Sequence, residues 1–229
     1  MNAFELENNI LYEDQEILVC YKPAGFPVQS ARIGTMDMES ALRGYLAAKR
    51  TGREMPYLAV IHRLDQPVEG VLVFAKTQSA AKELNRQLTS HAMEKRYLAV
   101  VQGYPKEKEA ILTDYLEKDG KTNTSRVVSK RTAQSKQAVL SYQLVQTIGE
   151  QSLLSICLKT GRHHQIRVQL SHAGLPLVGD TKYNPGEKGK QKSLALCASS
   201  LTFMHPKTRK QFTYTVQPHG EIFQPFLDL

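Results

Sequence analysis

The sequence predicts an α+β fold built on a substantial sheet. Three observations carry that reading. Up to about residue 100, short apolar runs alternate with amphipathic stretches; beyond Gly103 the pattern turns mostly to strand; and no repeat, low-complexity tract or linker divides residues 1–229, which read as one continuous domain.

The elements follow in order. Ile17–Tyr21 is an apolar run stopped by Pro23 and Gly25, a strand entering a turn. Met38, Leu42, Tyr45 and Leu46 recur at helical spacing, which predicts a helix near residues 38–50. Leu58–Ile61 and Val71–Ala75 read as two buried strands around a polar segment holding Pro67 and Gly70. Thr77 is placed to cap a helix whose stripe is Ala80, Leu84 and Leu88. Tyr97–Val101, Ala110–Tyr115, Ala138–Val145 and Leu153–Leu158 are further strands, with the basic Lys118–Lys136 as loop or edge structure. A short helix follows Thr160-Gly161, its apolar face made by Ile166, Leu170 and Ala173. Pro185–Lys192 reads as a mobile loop, and Leu194–Phe203 and Gln211–Val216 as closing strands.

Composition bounds the function. A hydrophobic share of 41% is ordinary for a packed globular chain. No run approaches the roughly 18 apolar residues of a membrane span, so no membrane partner is expected. The first residues are polar and acidic, without the pattern of a signal or transit peptide. Cys20, Cys157 and Cys197 lie far apart in apolar stretches, which predicts buried free thiols, a reducing compartment and a cytoplasmic protein. The net charge of +8 agrees with a polyanionic partner. The basic residues gather in Lys118–Lys136, in Lys182–Lys192, and in a segment holding Lys159, Arg162, His163, His164 and Arg167. Such clusters serve either as phosphate contacts or as solvated faces.

Three segments can carry chemistry. In Ala59–Val71 an apolar strand runs into His62-Arg63-Leu64-Asp65, and Pro67 and Gly70 turn the chain into a second strand. A carboxylate there can be a nucleophile or a base, or a turn residue bonding its own backbone. Lys159–Val168 sets Gly161 and basic side chains ahead of a helix, as an anion site, a partner for a buried carboxylate, or a basic surface turn. His163 and His164, adjacent on a helix, are expected to diverge, which disfavours a metal pair. Tyr97 alone reads as packing.

Together these segments resemble the core motifs of the RluA-type pseudouridine synthases. His62-Arg63-Leu64-Asp65 with Gly70 and Ala75-Lys76 is similar to the family's catalytic-aspartate motif. Lys95–Val100 through Gly103 is similar to its active-site tyrosine strand. Thr160–Val168, then Gly174, Pro176, Gly179-Asp180 and Tyr183, is similar to its arginine motif, and Lys22-Pro23-Ala24-Gly25 to its entry segment. The resemblance runs from about residue 10 to 217, in the family's order. It covers a catalytic domain alone, without the N-terminal RNA-binding domain of many relatives.

The resemblance implies the pseudouridine synthase fold, a large mixed, mainly antiparallel sheet flanked by helices and loops. It implies isomerisation of uridine to pseudouridine in ribosomal or transfer RNA, with no cofactor and no metal, by a protein expected to be a monomer. Asp65 is the implied catalytic carboxylate, Arg167 its partner, and Tyr97 the ring beside the uracil. Ile166 is an apolar wall for the base, Arg63 fills the space of the extruded nucleotide, and His62 supports the turn. Lys159 and Arg162 are assigned to substrate binding. Where the family has Thr-Ser before the glycine this chain has Val68-Glu69, which changes the turn's hydrogen bonds and adds a negative charge near an RNA site. Gln169 stands where the family often has His. Two other readings stand beside the synthase. A non-catalytic RNA-binding or ribosome-assembly protein would not require Asp65, Tyr97 and Arg167. An Asp-nucleophile hydrolase would need a metal motif or a phosphate-cradling loop, and the sequence has neither.

Overall fold

A computed structural model describes residues 6–31, 34–49, 54–187 and 193–227. The first strands and helices are β1 (Ile10–Glu13), β2 (Ile17–Lys22), α1 (Met38–Ala48), β3 (Ala59–Val60), β4 (Glu69–Ala75) and α2 (Gln78–Thr89). Then come β5 (Glu94–Gln102), β6 (Glu109–Asp119), β7 (Thr124–Val128), β8 (Lys136–Ile148), β9 (Gln151–Leu158) and α3 (Gln165–His172). The last are β10 (Leu196–Met204), β11 (Gln211–Thr215) and α4 (Gln224–Leu227). The chain groups into two compact units, residues up to Glu94 with Ala198–Gln217, and Lys95–Cys197 with the residues from Pro218.

In the first unit the strand order is β1-β2-β4-β10, with β3 also paired to β4 and β11 to β10. The residues of β2 and β4 are buried throughout, which is why both read as continuous apolar runs rather than alternating ones. One face carries Ile17, Val19, Val71, Val73, Leu201 and Phe203 against Leu84 and Ala80 of α2. Both helices begin on the caps their sequences offer. Asp37 accepts from the Ser40 amide at 2.8 Å and Thr77 from the Ala80 amide at 3.1 Å. The stripe of α2 differs from expectation in one residue. Gln87 is buried, because its amide group bonds both the N–H and the C=O of Met204, while Leu88 is only partly covered. Gly70 has φ +124°, and a Cβ there would meet the Ala198 carbonyl oxygen at 2.3 Å. Only glycine permits that approach of β4 to β10.

In the second unit the order is β5-β9-β8-β6-β7, each adjacent pair antiparallel. The segment Lys118–Lys136 holds the end of β6, a hairpin, the edge strand β7 and a following loop. Its Lys118, Lys121, Arg126, Lys130, Arg131 and Lys136 are exposed, Arg126 bonding Glu117 at 2.9 Å. Helix α3 packs Val168 against Leu116 and Ala138. Pro185–Glu187 forms a single 3₁₀ turn; residues 188–192, including three of the lysines of Lys182–Lys192, lie outside the described residues.

Candidate active site

The turn carrying Asp65 is built by two strands and a clamp. β3 pairs Ala59 and Val60 with Ala75 and Phe74 of β4, so the chain leaves β3 at a fixed height and must return to start β4 at Glu69. Ile61 and Leu64 anchor the return in the interior, Arg63 is exposed, and His62 and Asp65 are partly buried. The Val68 amide donates to the Asp65 carbonyl at 3.0 Å, closing the turn. The entry segment then grips it from the side. The Gly25 amide donates to the Gln66 carbonyl at 2.9 Å, and the Gln66 side-chain amide returns a bond to the Gly25 carbonyl at 3.0 Å. Lys22 Nζ donates to the same Gln66 carbonyl at 3.0 Å, to Pro23 O at 2.9 Å and to Phe26 O at 2.7 Å. The backbone on both sides of Asp65 is therefore fixed, which is what a reacting carboxylate requires.

Glu69, expected to add a negative charge near an RNA site, is directed into the interior. It is 4% exposed, and its carboxylate accepts a hydrogen bond from the Tyr21 hydroxyl. The strand pairing explains this. Tyr21 stands opposite Val71, so Glu69, two residues from Val71, shares its face and points inward. Lys22 is 0% exposed; burial pushes its ammonium down to about 8, opposed by the charges of Asp65 and Glu69.

The arginine segment is organised by Gln165. Its side-chain oxygen accepts from Thr160 Oγ1 at 2.8 Å and from the Arg162 amide at 2.9 Å, while Thr160 Oγ1 also accepts from the Val139 amide. Its side-chain nitrogen donates to Gln169, whose own amide donates to Asp114 at 2.7 Å. This buried chain of amides fixes the start of α3 to β6 and β8, and gives Gln169 a polar role where the family often has His.

Arg167 is 5% exposed and binds Asp180 bidentately, Nε to Oδ2 and Nη2 to Oδ1, both at 2.8 Å. Asp180 also accepts from the amides of Lys182 and Tyr183, and the guanidinium lies 5.1 Å from the centre of the Tyr183 ring. Ile166 and Tyr97 are buried, Tyr97 opposite Ile156 of β9. Lys159 is exposed, and Arg162 donates through Nε to the Gln137 carbonyl at 2.9 Å.

The two histidines do not diverge. α3 starts only at Gln165, and His164 sits at its entry with φ 53°, so the rings of His163 and His164 stack at 3.8 Å between centroids. Each is held by hydrogen bonds, His163 to Ser125 and Asn123 and His164 to the Tyr183 hydroxyl. Among the described residues no group of three or more His, Cys, Asp or Glu is placed to hold a metal. No helix among them is long and apolar enough to cross a membrane.

An open depression of roughly 500 Å³ lies elsewhere in the second unit, lined by Arg96, Glu109, Ile111, Ser141, Ser155 and Cys157 among others. Arg96, Cys157, Ser141 and Ile111 form one cross-strand row, so alternation along β5 directs Tyr97 to the opposite face. None of the residues assigned from the motifs lines it.

Residues 16–172 match the family model described as RNA pseudouridylate synthase. The chain belongs to this family. The ribosomal large subunit pseudouridine synthase C of Buchnera aphidicola is 33% identical over 228 residues, 96% of this chain and 70% of that one. The tRNA pseudouridine synthase C of Haemophilus ducreyi is 34% identical over 91% of this chain and 90% of its own. Among solved structures, human RNA pseudouridylate synthase domain containing 4 superposes with a TM-score of 0.80 at 22% identity, covering 95% of this chain and 91% of that one. The pseudouridine synthase fold expected from the motifs is thus the observed one, and the family is one of isomerases. Membership of an enzyme family favours the synthase over the non-catalytic binder.

Sequence reasoning missed three features of the site. It did not assign Asp180 as the carboxylate bound by Arg167, though Gly179-Asp180 was part of the motif. It did not foresee the inward turn of Glu69 or the complete burial of Lys22. The signal for Lys22 was present: a lysine at the end of a wholly apolar strand, followed by Pro and Gly, has carbonyls of a tight turn within reach of its ammonium.

Proposed function

We propose that this chain isomerises uridine to pseudouridine in structured ribosomal or transfer RNA, with Asp65 as the working carboxylate. The observation that supports this most is the clamped turn, which holds a partly buried carboxylate at a strand end by bonds to its own carbonyl and to that of the next residue. In the proposed reaction the glycosidic bond to nitrogen 1 breaks, the uracil rotates while held, and carbon 5 joins the same ribose carbon. The proton on carbon 5 is released and nitrogen 1 takes one up. Asp65 acts either by attacking the ribose carbon or by removing a ribose proton.

Arg167, oriented by Asp180, is the proposed partner of Asp65. Tyr97 is proposed to lie against the uracil and Ile166 to wall its apolar side, keeping water from the cleaved intermediate. Arg63, exposed beside Asp65, is proposed to occupy the place of the flipped nucleotide, with His62 supporting the turn. Lys159 and Arg162 are assigned to the RNA backbone, as are the basic residues of Lys118–Lys136 and Lys182–Lys192. Action as a monomer in the cytoplasm is part of the same proposal.

Mapping pseudouridines in cellular RNA with and without this protein tests the reading. One or a few uridines in ribosomal or transfer RNA should lose modification in its absence and regain it on restoration. Identical maps would contradict it.

A further inference from the structure

The β6–β7 hairpin is tied to the arginine segment by bonds that no step of the proposed reaction uses. β7 is an edge strand with β6 on one side, and Ser125, 6% exposed, is its one buried residue. The Ser125 amide donates to the Tyr183 hydroxyl at 2.7 Å, so this edge N–H is paired by a side chain rather than by a further strand. That hydroxyl directs its own hydrogen to His164 Nδ1, also at 2.7 Å. His163 lies on His164 at 3.8 Å between ring centroids. It meets Ser125 Oγ through Nδ1 at 2.9 Å and Asn123 Oδ1 through Nε2 at 3.2 Å. Lys182 Nζ donates to the Asn123 carbonyl at 2.9 Å, and Val127 and Tyr183 both pack against the cluster of Leu116, Ala138 and Val168. Tyr183 is itself fixed. Its amide donates to Asp180, its carbonyl accepts from Ser171 Oγ at 2.7 Å, and its ring lies against Arg167. The pairing of β6 with β7 alone would let the hairpin bend away from α3; these contacts prevent it.

We propose that Tyr183 and His163 are positioning residues that latch the β6–β7 hairpin to the arginine segment and so place its cations in one register for the phosphates of an RNA. The cations concerned are Lys118, Lys121 and Arg126, all exposed. Because the ring of Tyr183 rests on Arg167 while its hydroxyl holds Ser125, the backbone-binding hairpin and the guanidinium assigned to the reaction are tied to one side chain. The inference rests on the reading of the hairpin as an RNA contact; it does not depend on which carboxylate does the chemistry.

The probe is an unmodified transfer RNA transcript, and its Kd and salt dependence are measured on the wild type, on Tyr183→Phe, on a hairpin variant and on the two combined. The hairpin variant carries Lys118→Gln, Lys121→Gln and Arg126→Gln. Tyr183→Phe keeps the ring on Arg167 and removes only the hydroxyl. In the wild-type background it should weaken binding about tenfold near 0.1 M salt, and flatten the slope of log K against log salt by about 0.7 to 0.9 for each phosphate released. In the hairpin variant, with no hairpin cations left to place, the same substitution should change Kd by less than about twofold. Exchange of the Ser125 amide with deuterated solvent should quicken in Tyr183→Phe while the β8 amides exchange as in the wild type. Equal weakening in both backgrounds would overturn the proposal, because the hydroxyl would then serve the fold alone. Wild-type affinity or wild-type Ser125 exchange in Tyr183→Phe would overturn it too. A hairpin variant that binds like the wild type also overturns it but leaves the synthase reading standing, since that reading is tested by modification of uridine and not by this affinity. Should Tyr183→Phe not fold, His163→Ala, at a partly exposed position, is read in the same way.

Discussion

Arg167 and Asp180 form a buried, bidentate ion pair, with side chains 5% and 0% exposed. Two parallel N–H···O bonds fix the guanidinium plane, and two backbone amides fix the carboxylate from its other side. The pair joins α3 to the turn after Gly179 and determines where the rest of the guanidinium is directed.

Removing one partner leaves the other charged and buried. Asp180→Ala should lower stability by about 3–5 kcal/mol, and activity should fall even at temperatures where the protein remains folded. Arg167→Lys should also lose activity, because an ammonium cannot reproduce the planar fork. Thermal melts alongside turnover measure both. An Asp180→Ala protein with wild-type melting and turnover would show that the pair neither stabilises nor orients.

The role given to Arg63 depends on its exposure beside Asp65. If it fills the gap of an extruded nucleotide, Arg63→Ala should depress kcat/KM more on a structured RNA than on a short single-stranded substrate. The single strand has little stacking to break. Equal losses on the two substrates would remove that role.

The exposed basic residues of Lys118–Lys136 are set on an edge hairpin and the loop after it. Neutralising Lys118, Lys121, Lys130 and Arg131 should weaken binding to RNAs of different sequence alike. The dependence of log K on log salt should flatten by about 0.7 to 0.9 for each phosphate that the variant no longer neutralises. An unchanged slope would assign these residues to a solvated face.

The strands and helices that the sequence specifies by its own periodicity are the ones the structure contains. β2, β4 and β5 announce themselves by buried apolar runs, and α2 by Thr77 and its stripe. What was hidden depends on partners distant in the chain. The burial of Gln87 could not be read from its helix, because its partner, the backbone of Met204, lies 117 residues away. The inward direction of Glu69 was not legible because the direction of a strand residue is set by pairing register, here Tyr21 against Val71, and not by local pattern. The stacking of His163 on His164 depends on where α3 begins, and helix boundaries are what sequence specifies least. The motif residues Asp65, Tyr97 and Arg167 were legible by resemblance, but Asp180 became the partner of Arg167 only in three dimensions.

The central claim, that Asp65 does the chemistry, is tested most directly by release of tritium from carbon 5 of uridine in RNA by Asp65→Asn. The substitution keeps size and the capacity to accept local backbone bonds while removing charge and nucleophilicity. A residue that merely shapes the turn should tolerate it. If Asp65 is the working carboxylate, tritium release falls to background while the thermal melt and RNA affinity stay close to wild type, since phosphate contacts lie elsewhere. A folded Asp65→Asn protein that still releases tritium at the wild-type rate would contradict the account.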